Sequence, residues 1–525
     1  MARPHYLTTS HGQVRLWAEG DGPTLVLLAG PTRAAVTSLR EAREALPGWR
    51  VLAFEPPGLS GSARSAGDSL AAAAATLAEA LAFLDGEPWV LGAAELSCAL
   101  LPPLLERVHP TATVFVGAES AQGWARHRIA PPALEPRDDG TYLNAVWSFL
   151  RDRRLVRADE PTLPIAEGRP LPGVAELDLA FQAAVSDPEA FARFWALTTG
   201  SIDAALDALP DAVHVRSWAE LAESAVPPAS SVPVPETAPA AGVEIWHQYV
   251  DTAVGRVHLR RAGSAGPPVL VFSTGGGSSA QFAPVVSGLA GSRTVAAMDY
   301  FGNGLSEPLE RRPDVAVLAQ EALAVADALG WEEFDVWGSH TGACVALELA
   351  ILAPDRVRKG VFEAPVMVTP EFRDELLDNY FPDLSPDKFG LHLQHVWNWR
   401  RDGFLYWPWY RVDHAAARGI GLPTAADLHV YAVGILQSGR TYDLAYRAGF
   451  GYDTRSRLPL LRRPAILTAG PHDMLANALD DAASLVPDGL LRIVPTPTTV
   501  WWPDPEPAAA EATLGIYREF LDEPC

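Results

Sequence analysis

The chain has 525 residues, which at roughly 150 residues per domain leaves room for two or three domains. Hydrophobic residues make up 48%, enough for packed cores, so a wholly disordered chain is excluded. Lys+Arg 41 against Asp+Glu 64 gives a formal net charge of −23, the wrong sign for a general nucleic-acid binder. With Lys359 and Lys388 as the chain's two lysines, no lysine-based membrane patch can be built.

Cys98, Cys344 and Cys525 are too few and too scattered for a disulfide framework or a zinc cluster, which points to a reducing compartment. The first residues run into polar positions without the apolar segment of a signal peptide. The alanine-rich stretch from Ala71 to Leu84 carries Glu79 and is too short to span a bilayer, so it is predicted as a buried helix. The expectation is a cytoplasmic protein with neither membrane nor nucleic-acid partners.

Followed in chain order, the sequence repeats itself. The segment His5 to Leu16 resembles His247 to Leu259, and Val90 to Cys98 parallels Val336 to Cys344 at an offset of 344 − 98 = 246. Val146-Trp147 with Arg151-Asp152 matches Val396-Trp397 with Arg401-Asp402 at 396 − 146 = 250, and Leu171-Pro172 matches Leu422-Pro423 at 422 − 171 = 251. Matches in one order, at slowly drifting offsets, predict two related tandem units. Between them, Val226 to Ala241 is rich in Pro, Ala and Ser and lacks periodicity, as an extended linker does. The expected partition is a first unit over 1–225, a linker over 226–242 and a second unit over 243–525.

In the second unit, short apolar runs are predicted as strands at Pro268 to Ser273, Thr294 to Met298, Phe334 to Trp337, Lys359 to Phe362 and Pro464 to Thr468. Helical stretches at Asp314 to Leu329 and Gly342 to Leu352 lie between them. Continuous apolar strands alternating with helices argue for an α/β fold whose mostly parallel sheet is covered on both faces. A Trp-rich stretch over about 370–458 interrupts the alternation and is predicted to be an inserted helical cap; the first unit carries a cap-like stretch too.

Four motifs then follow in order. Ser273-Thr274-Gly275-Gly276-Gly277 closes the first of these strands, and Asp299 opens the pattern Asp-x-x-Gly302-x-Gly304-x-Ser306 after the second. Gly338-Ser339-His340-Thr341-Gly342 joins a strand to a helix, and Gly470-Pro471-His472-Asp473 follows the last of the predicted strands. Together they resemble the oxyanion loop, the Asp loop, the nucleophile elbow and the triad-acid position of the α/β-hydrolase superfamily. The resemblance covers nearly all of the second unit and most of the first, and implies two tandem hydrolase-like units, each with a cap. The elbow itself is similar to a variant branch with a His-Thr-Gly-Ala turn.

The departures from the family pattern are as informative. His340 stands at the elbow apex, where the family's hydrolases carry Ser, Cys or Asp, and Thr274 replaces the usual oxyanion-loop His. The segment Arg492 to Trp502, where the family's catalytic His belongs, contains no histidine, so a Ser-His-Asp triad cannot be assembled from the matched positions. An apex imidazole can instead move a proton or attack as a nucleophile. Asp473 is expected to orient it, directly or through a water, and backbone donors at Thr341, Thr274, Gly275 and Gly276 to hold developing negative charge. The bland alternative is a decayed elbow in which His340 only packs. Ser339 precedes the apex and is expected to point away.

From the cap, His392 and His395 share one helix face and are candidates for a second acid or base, or are solvent-facing polar residues. Trp397, Trp399, Trp407 and Trp409 are candidates for the wall of a pocket for an apolar, aromatic small molecule, or for cap packing. No carboxylate or Cys pattern at ligand spacing implies a metal, and no phosphate-cradling loop implies an organic cofactor. In the first unit, the 246 offset puts Ala94 at the apex, Glu95 is a possible rescue, and no counterpart of the acid strand is evident after the cap-like stretch. That unit is expected to be a non-catalytic scaffold, giving a monomer that is an intramolecular pseudo-dimer, or a homodimer. The expected activity is acid/base or nucleophilic chemistry by the elbow histidine: C–C cleavage, decarboxylation, elimination or atypical hydrolysis. The alternatives are an ester, lactone or C–C bond hydrolase with a serine nucleophile, and a non-catalytic ligand-binding protein on the same fold.

Overall fold

The computed structural model describes residues 2–155, 172–209, 213–215, 218–221, 228–239, 242–308, 311–486 and 489–524. Leu171 of the Leu-Pro match and residues Val226, Pro227, Ala240 and Ala241 of the expected linker lie outside the described residues. By contact density the chain separates into two compact units. One comprises 1–137, 141–243 and 386–391, the other 138–140, 244–385 and 392–525.

The first unit is built on a seven-stranded sheet of β1 (Arg3–Thr9), β2 (Gly12–Glu19), β3 (Thr24–Leu28), β4 (Arg50–Phe54), β5 (Trp89–Ala94), β6 (Ala112–Val116) and β7 (Val213–Val215). Its order is β1-β2-β4-β3-β5-β6-β7. The β1/β2 and β2/β4 pairs are antiparallel, and all others are parallel. The central strands β3, β4 and β5 are buried at every residue, as strands covered on both faces must be. The helix from the alanine-rich stretch spans Leu70–Leu81 and is capped by Ser69, whose hydroxyl accepts from Ala72 N. β7 corrects the expectation that this unit lacks a counterpart of the acid strand. A Val-His-Val run is too short to stand out by periodicity, yet it pairs in parallel with β6.

The second unit has eight strands: β8 (Trp246–Asp251), β9 (Arg256–Ala262), β10 (Pro268–Phe272), β11 (Thr294–Met298), β12 (Phe334–Ser339), β13 (Val357–Glu363), β14 (Ala465–Thr468) and β15 (Leu491–Ile493). Read from the other edge, the order is β8-β9-β11-β10-β12-β13-β14-β15, the first unit's order with one further edge strand. Again the first two pairs are antiparallel and the rest parallel. Both sheets are therefore the mostly parallel, helix-flanked sheets expected from the apolar runs. Val269, Val271, Val295, Ala297, Trp337 and Ile466 project from this sheet into one cluster with Phe282, Leu514 and Tyr517. Between β13 and β14 the chain is helical, with helices at Pro370–Asn379, Leu391–Leu405, Ala425–Ser438 and Leu444–Gly451. Among the described residues, no helix is long and apolar enough to cross a membrane.

Candidate active site

The site is organised by the turn between β12 and the helix Thr341–Leu352. His340 sits in that turn at φ 49° and ψ −112°, in the left-handed half of φ space that a β-carbon disfavours. Two glycines make so tight a turn possible. A Cβ on Gly338 would lie 2.1 Å from Gly342 O, and one on Gly342 would lie 2.3 Å from Phe272 O. The helix that follows is buried from Thr341 to Ala350, and its first N–H groups have no partner within the helix itself.

His340 is 8% exposed and donates from Nε2 to Asp473 Oδ2 at 2.8 Å. Asp473 comes from the loop after β14, and its other oxygen accepts from Leu475 N at 2.9 Å. Sequence positions 133 residues apart thus form one buried pair. With Nε2 committed to the carboxylate, Nδ1 is the basic nitrogen of the ring. Trp501 lies where the family places its histidine, after β15. It meets the His340 ring edge-on, with centroids 5.6 Å apart. Its indole N–H donates to Glu363 Oε2 at 2.6 Å, and Tyr517 donates to Glu363 Oε1 at 2.8 Å. Burial pushes the Glu363 carboxyl above the usual carboxylate range in spite of those two bonds. Ser339 is fully buried and pairs in the sheet with Glu363, beneath the apex.

A cavity opens over His340. Of the expected backbone-donor residues, Thr274 and Thr341 line it. Gly275, at φ 100°, lies behind them: a Cβ there would be 3.0 Å from Thr341 Oγ1. Gly276 packs under the Tyr446 ring. Gln281 donates to Thr274 Oγ1 at 2.9 Å.

Among the expected pocket tryptophans, Trp407 lines the cavity, while Trp397, Trp399 and Trp409 do not. Trp397 is fully buried, Trp399 packs edge-on against Tyr380 and Tyr442, and Trp409 donates to Tyr380 O at 2.8 Å. Trp399 and Trp409 pack the helical stretch itself, whereas the Trp397 N–H donates to Asp138 O at 2.9 Å. His392 and His395 do not line the cavity either, which corrects their expected role as a second acid or base. Their helix reaches the cavity through Arg400, Gly403 and Phe404. His392 lies on the same stripe as Arg400 but two turns earlier, about 12 Å along the axis, and His395 is exposed.

Sequence reasoning missed the cationic part of the site. Arg400 and Arg418 both line the cavity, as do Tyr380 and Tyr446, whose hydroxyls are 3.3 Å apart. Arg418 donates to Gly403 O at 2.7 Å and His472 O at 3.3 Å, which ties the helical stretch to the loop that carries Asp473. Burial lowers the Arg418 pKa, against the pull of Asp473. The signal was present as Arg400-Arg401 directly after Trp399, a cation inside an aromatic run.

The Asp loop is a structural brace. Asp299 accepts from Ser279 N and Oγ at 2.6 Å, Leu305 N at 2.9 Å and His258 Nδ1 at 2.8 Å, and His258 in turn meets His247 at 2.9 Å. Burial opposes its ionisation, but His258, Arg260 and the Leu305 N–H outweigh burial and hold the carboxyl well below the usual range.

In the first unit the apex is Glu95, at φ 52°, and not Ala94, which is the last residue of β5. The pairing of Ala94 with Val116 corresponds to that of Ser339 with Glu363, so the true offset here is 340 − 95 = 245. A 3₁₀ turn over Glu95–Leu100 replaces the α-helical start, and that one-residue slip misled the match on Cys98. The Glu95 carboxylate is held by Thr32, from Oγ1 at 2.6 Å and N at 3.3 Å.

Residues 267–401 match the family model described as alpha/beta hydrolase fold. The chain is 36% identical over 125 residues to the 2-hydroxymuconate semialdehyde hydrolase of Pseudomonas sp. (strain CF600), covering 23% of this chain and 44% of that protein. It is 28% identical over 227 residues to the putative carbamate hydrolase RutD of Pseudomonas savastanoi pv. phaseolicola, covering 41% of this chain and 80% of that protein. Among solved structures, the enol-lactonase from Burkholderia xenovorans LB400 aligns at 19% identity and a TM-score of 0.40, over 52% of this chain and all of that one. The chain spans less than half the length of the first of these relatives. The matched model covers residues 267–401 of the second unit, and that segment, with a histidine at its elbow, carries the alpha/beta hydrolase fold.

Proposed function

We propose that the second unit is a hydrolase of small, largely apolar molecules in which His340 acts as general base on water and Asp473 orients and balances it. The observation that carries this reading is the buried 2.8 Å contact between the apex imidazole and Asp473, facing a cavity walled mainly by aromatic side chains. In the proposed step, a water oxygen bonds to the acyl carbon while its proton passes to His340 Nδ1. The carbonyl electron pair moves to oxygen, where N–H groups at the helix start and the Thr274 loop hold it. Collapse of that adduct breaks the bond to the leaving group, which takes the proton back from Nδ1. The relatives named as hydrolases support the class of reaction. The first unit, whose apex carboxylate is already engaged by Thr32, is the non-catalytic member of a duplicated pair.

The test is turnover of a panel of aryl esters by the wild-type chain and by His340→Asn and Asp473→Asn. A general base contributes about 10²–10⁴-fold, so His340→Asn should lose at least about 10²-fold in kcat. A fluorophosphonate should leave the intact mass unchanged. Turnover undiminished in His340→Asn, or a stoichiometric serine adduct, would refute the proposal.

A further inference from the structure

We infer that Arg400 is the anchor for a carboxylate on the substrate, so that the substrate class is an apolar or aromatic acid carried as its anion. This rests on the reading of the His340 cavity as a substrate site and adds the substrate's charge.

Two arginines line the cavity, and among the described lining residues none is Asp or Glu. The two differ in how they are used. Arg418 spends its guanidinium on the carbonyls of Gly403 and His472 and lies over the Trp502 ring at 5.0 Å. Arg400 makes no hydrogen bond and no ion pair among the described residues, and its Nε is buried without a partner. It is held only by ring faces, with its guanidinium carbon 5.2 Å from the Trp399 centroid and 5.3 Å from that of Tyr431.

Arg400 is partly buried, with its Nε sealed from water and unpaired, and a donor left in that state is costly unless something else supplies its partner. The two rings hold the guanidinium in place in advance, and its fork of N–H donors suits a planar two-oxygen acceptor. A second unpartnered donor lines the same cavity: Thr341 Oγ1 is fully buried and without a hydrogen bond. The chain as a whole, at −23, repels anions, so attraction must come from within the cavity. A carboxylate fits better than a phosphate, whose higher charge and three oxygens would ask for more donors than one free guanidinium provides.

The experiment is calorimetric titration of the full chain with 3-phenylpropionate, with its neutral amide, and with inorganic phosphate. It is repeated on Arg400→Met, which keeps an apolar stem against the two rings, and on His340→Asn. The expected result is that the wild type binds the carboxylate at least 10-fold more tightly than the amide and binds phosphate more weakly than the carboxylate. Arg400→Met should abolish the preference over the amide, and His340→Asn should keep it. Equal affinity for acid and amide overturns the inference, as do an unchanged preference in Arg400→Met, tighter binding of phosphate, and no saturable binding of the acid. The ester assay fails or succeeds on His340 regardless of these affinities, so loss of the catalytic reading and loss of the anchor are separate results.

Discussion

Glu321 offers a test of the second unit's interior that needs no substrate. It lies on the helix Val315–Ala328, capped by Asp314, and is 2% exposed. Among the described residues neither carboxylate oxygen has a hydrogen-bond partner. Burial pushes its pKa up to about 7, and Arg311 counters only part of that rise. The folded state therefore binds the Glu321 proton more tightly than the unfolded chain, where the group has its ordinary value of 4.5. Stability from this group is fully present below pH 4.5 and is lost as pH rises toward 7, after which the loss is constant. A shift of 7 − 4.5 = 2.5 pH units corresponds to about 3 kcal/mol. Glu321→Gln keeps the shape and removes the titration, so the variant should gain on the wild type by about 3 kcal/mol between pH 4.5 and pH 8. Any fixed cost of burying the amide is the same at every pH and cancels from that change. Urea unfolding of both proteins at half-unit pH steps measures it. A difference that stays flat across the range would show that the carboxyl is solvated and ionised in the folded chain, and the reasoning would be wrong.

Two further perturbations probe the scaffold beneath the site. Gly342→Ala puts a methyl 2.3 Å from Phe272 O and 2.6 Å from Ser273 O, both backbone atoms, so a loss of about 3 kcal/mol or more is expected in thermal unfolding; a Tm within 2 °C or so of wild type would contradict the elbow geometry. Asp335→Ala removes the buried partner of Arg293, which is 1% exposed and keeps only the half-exposed Asp522, and should cost about 3 kcal/mol, whereas Arg293→Met with Asp335→Leu should sit closer to wild type. A double variant as unstable as the single one would show that the pair is not the cause.

The second unit's strands were legible because each is a short apolar run between turn residues, and period and length alone separate them from the helices. The elbow was legible because a Gly-x-x-x-Gly turn has a steric reason, now visible at Gly338 and Gly342. Asp473 beside His340 was readable from order along the chain. The helical stretch between β13 and β14 could not be read in the same way. Helix periodicity says that His392 and Arg400 share a stripe, but not which turn of that stripe meets the cavity. Nor could the first unit's apex be read, because a 3₁₀ start shifts the count by one residue, and a match on Cys98 carries no information about a backbone angle. What the residues could not reveal was which side chains remain without partners, since that depends on every neighbour at once.

Trp501 in the histidine's place has an optical consequence. An indole touching an imidazole loses emission when that ring becomes a cation and recovers it when the ring is neutral. The edge-on contact at 5.6 Å therefore couples the fluorescence of one tryptophan to the charge of the apex residue. Its indole N–H is fixed on Glu363, so the emitter cannot swing away and mimic the signal. Subtracting the spectrum of His340→Asn removes the other fifteen of the chain's 16 tryptophans. The apex thus carries its own gauge, readable with no substrate present.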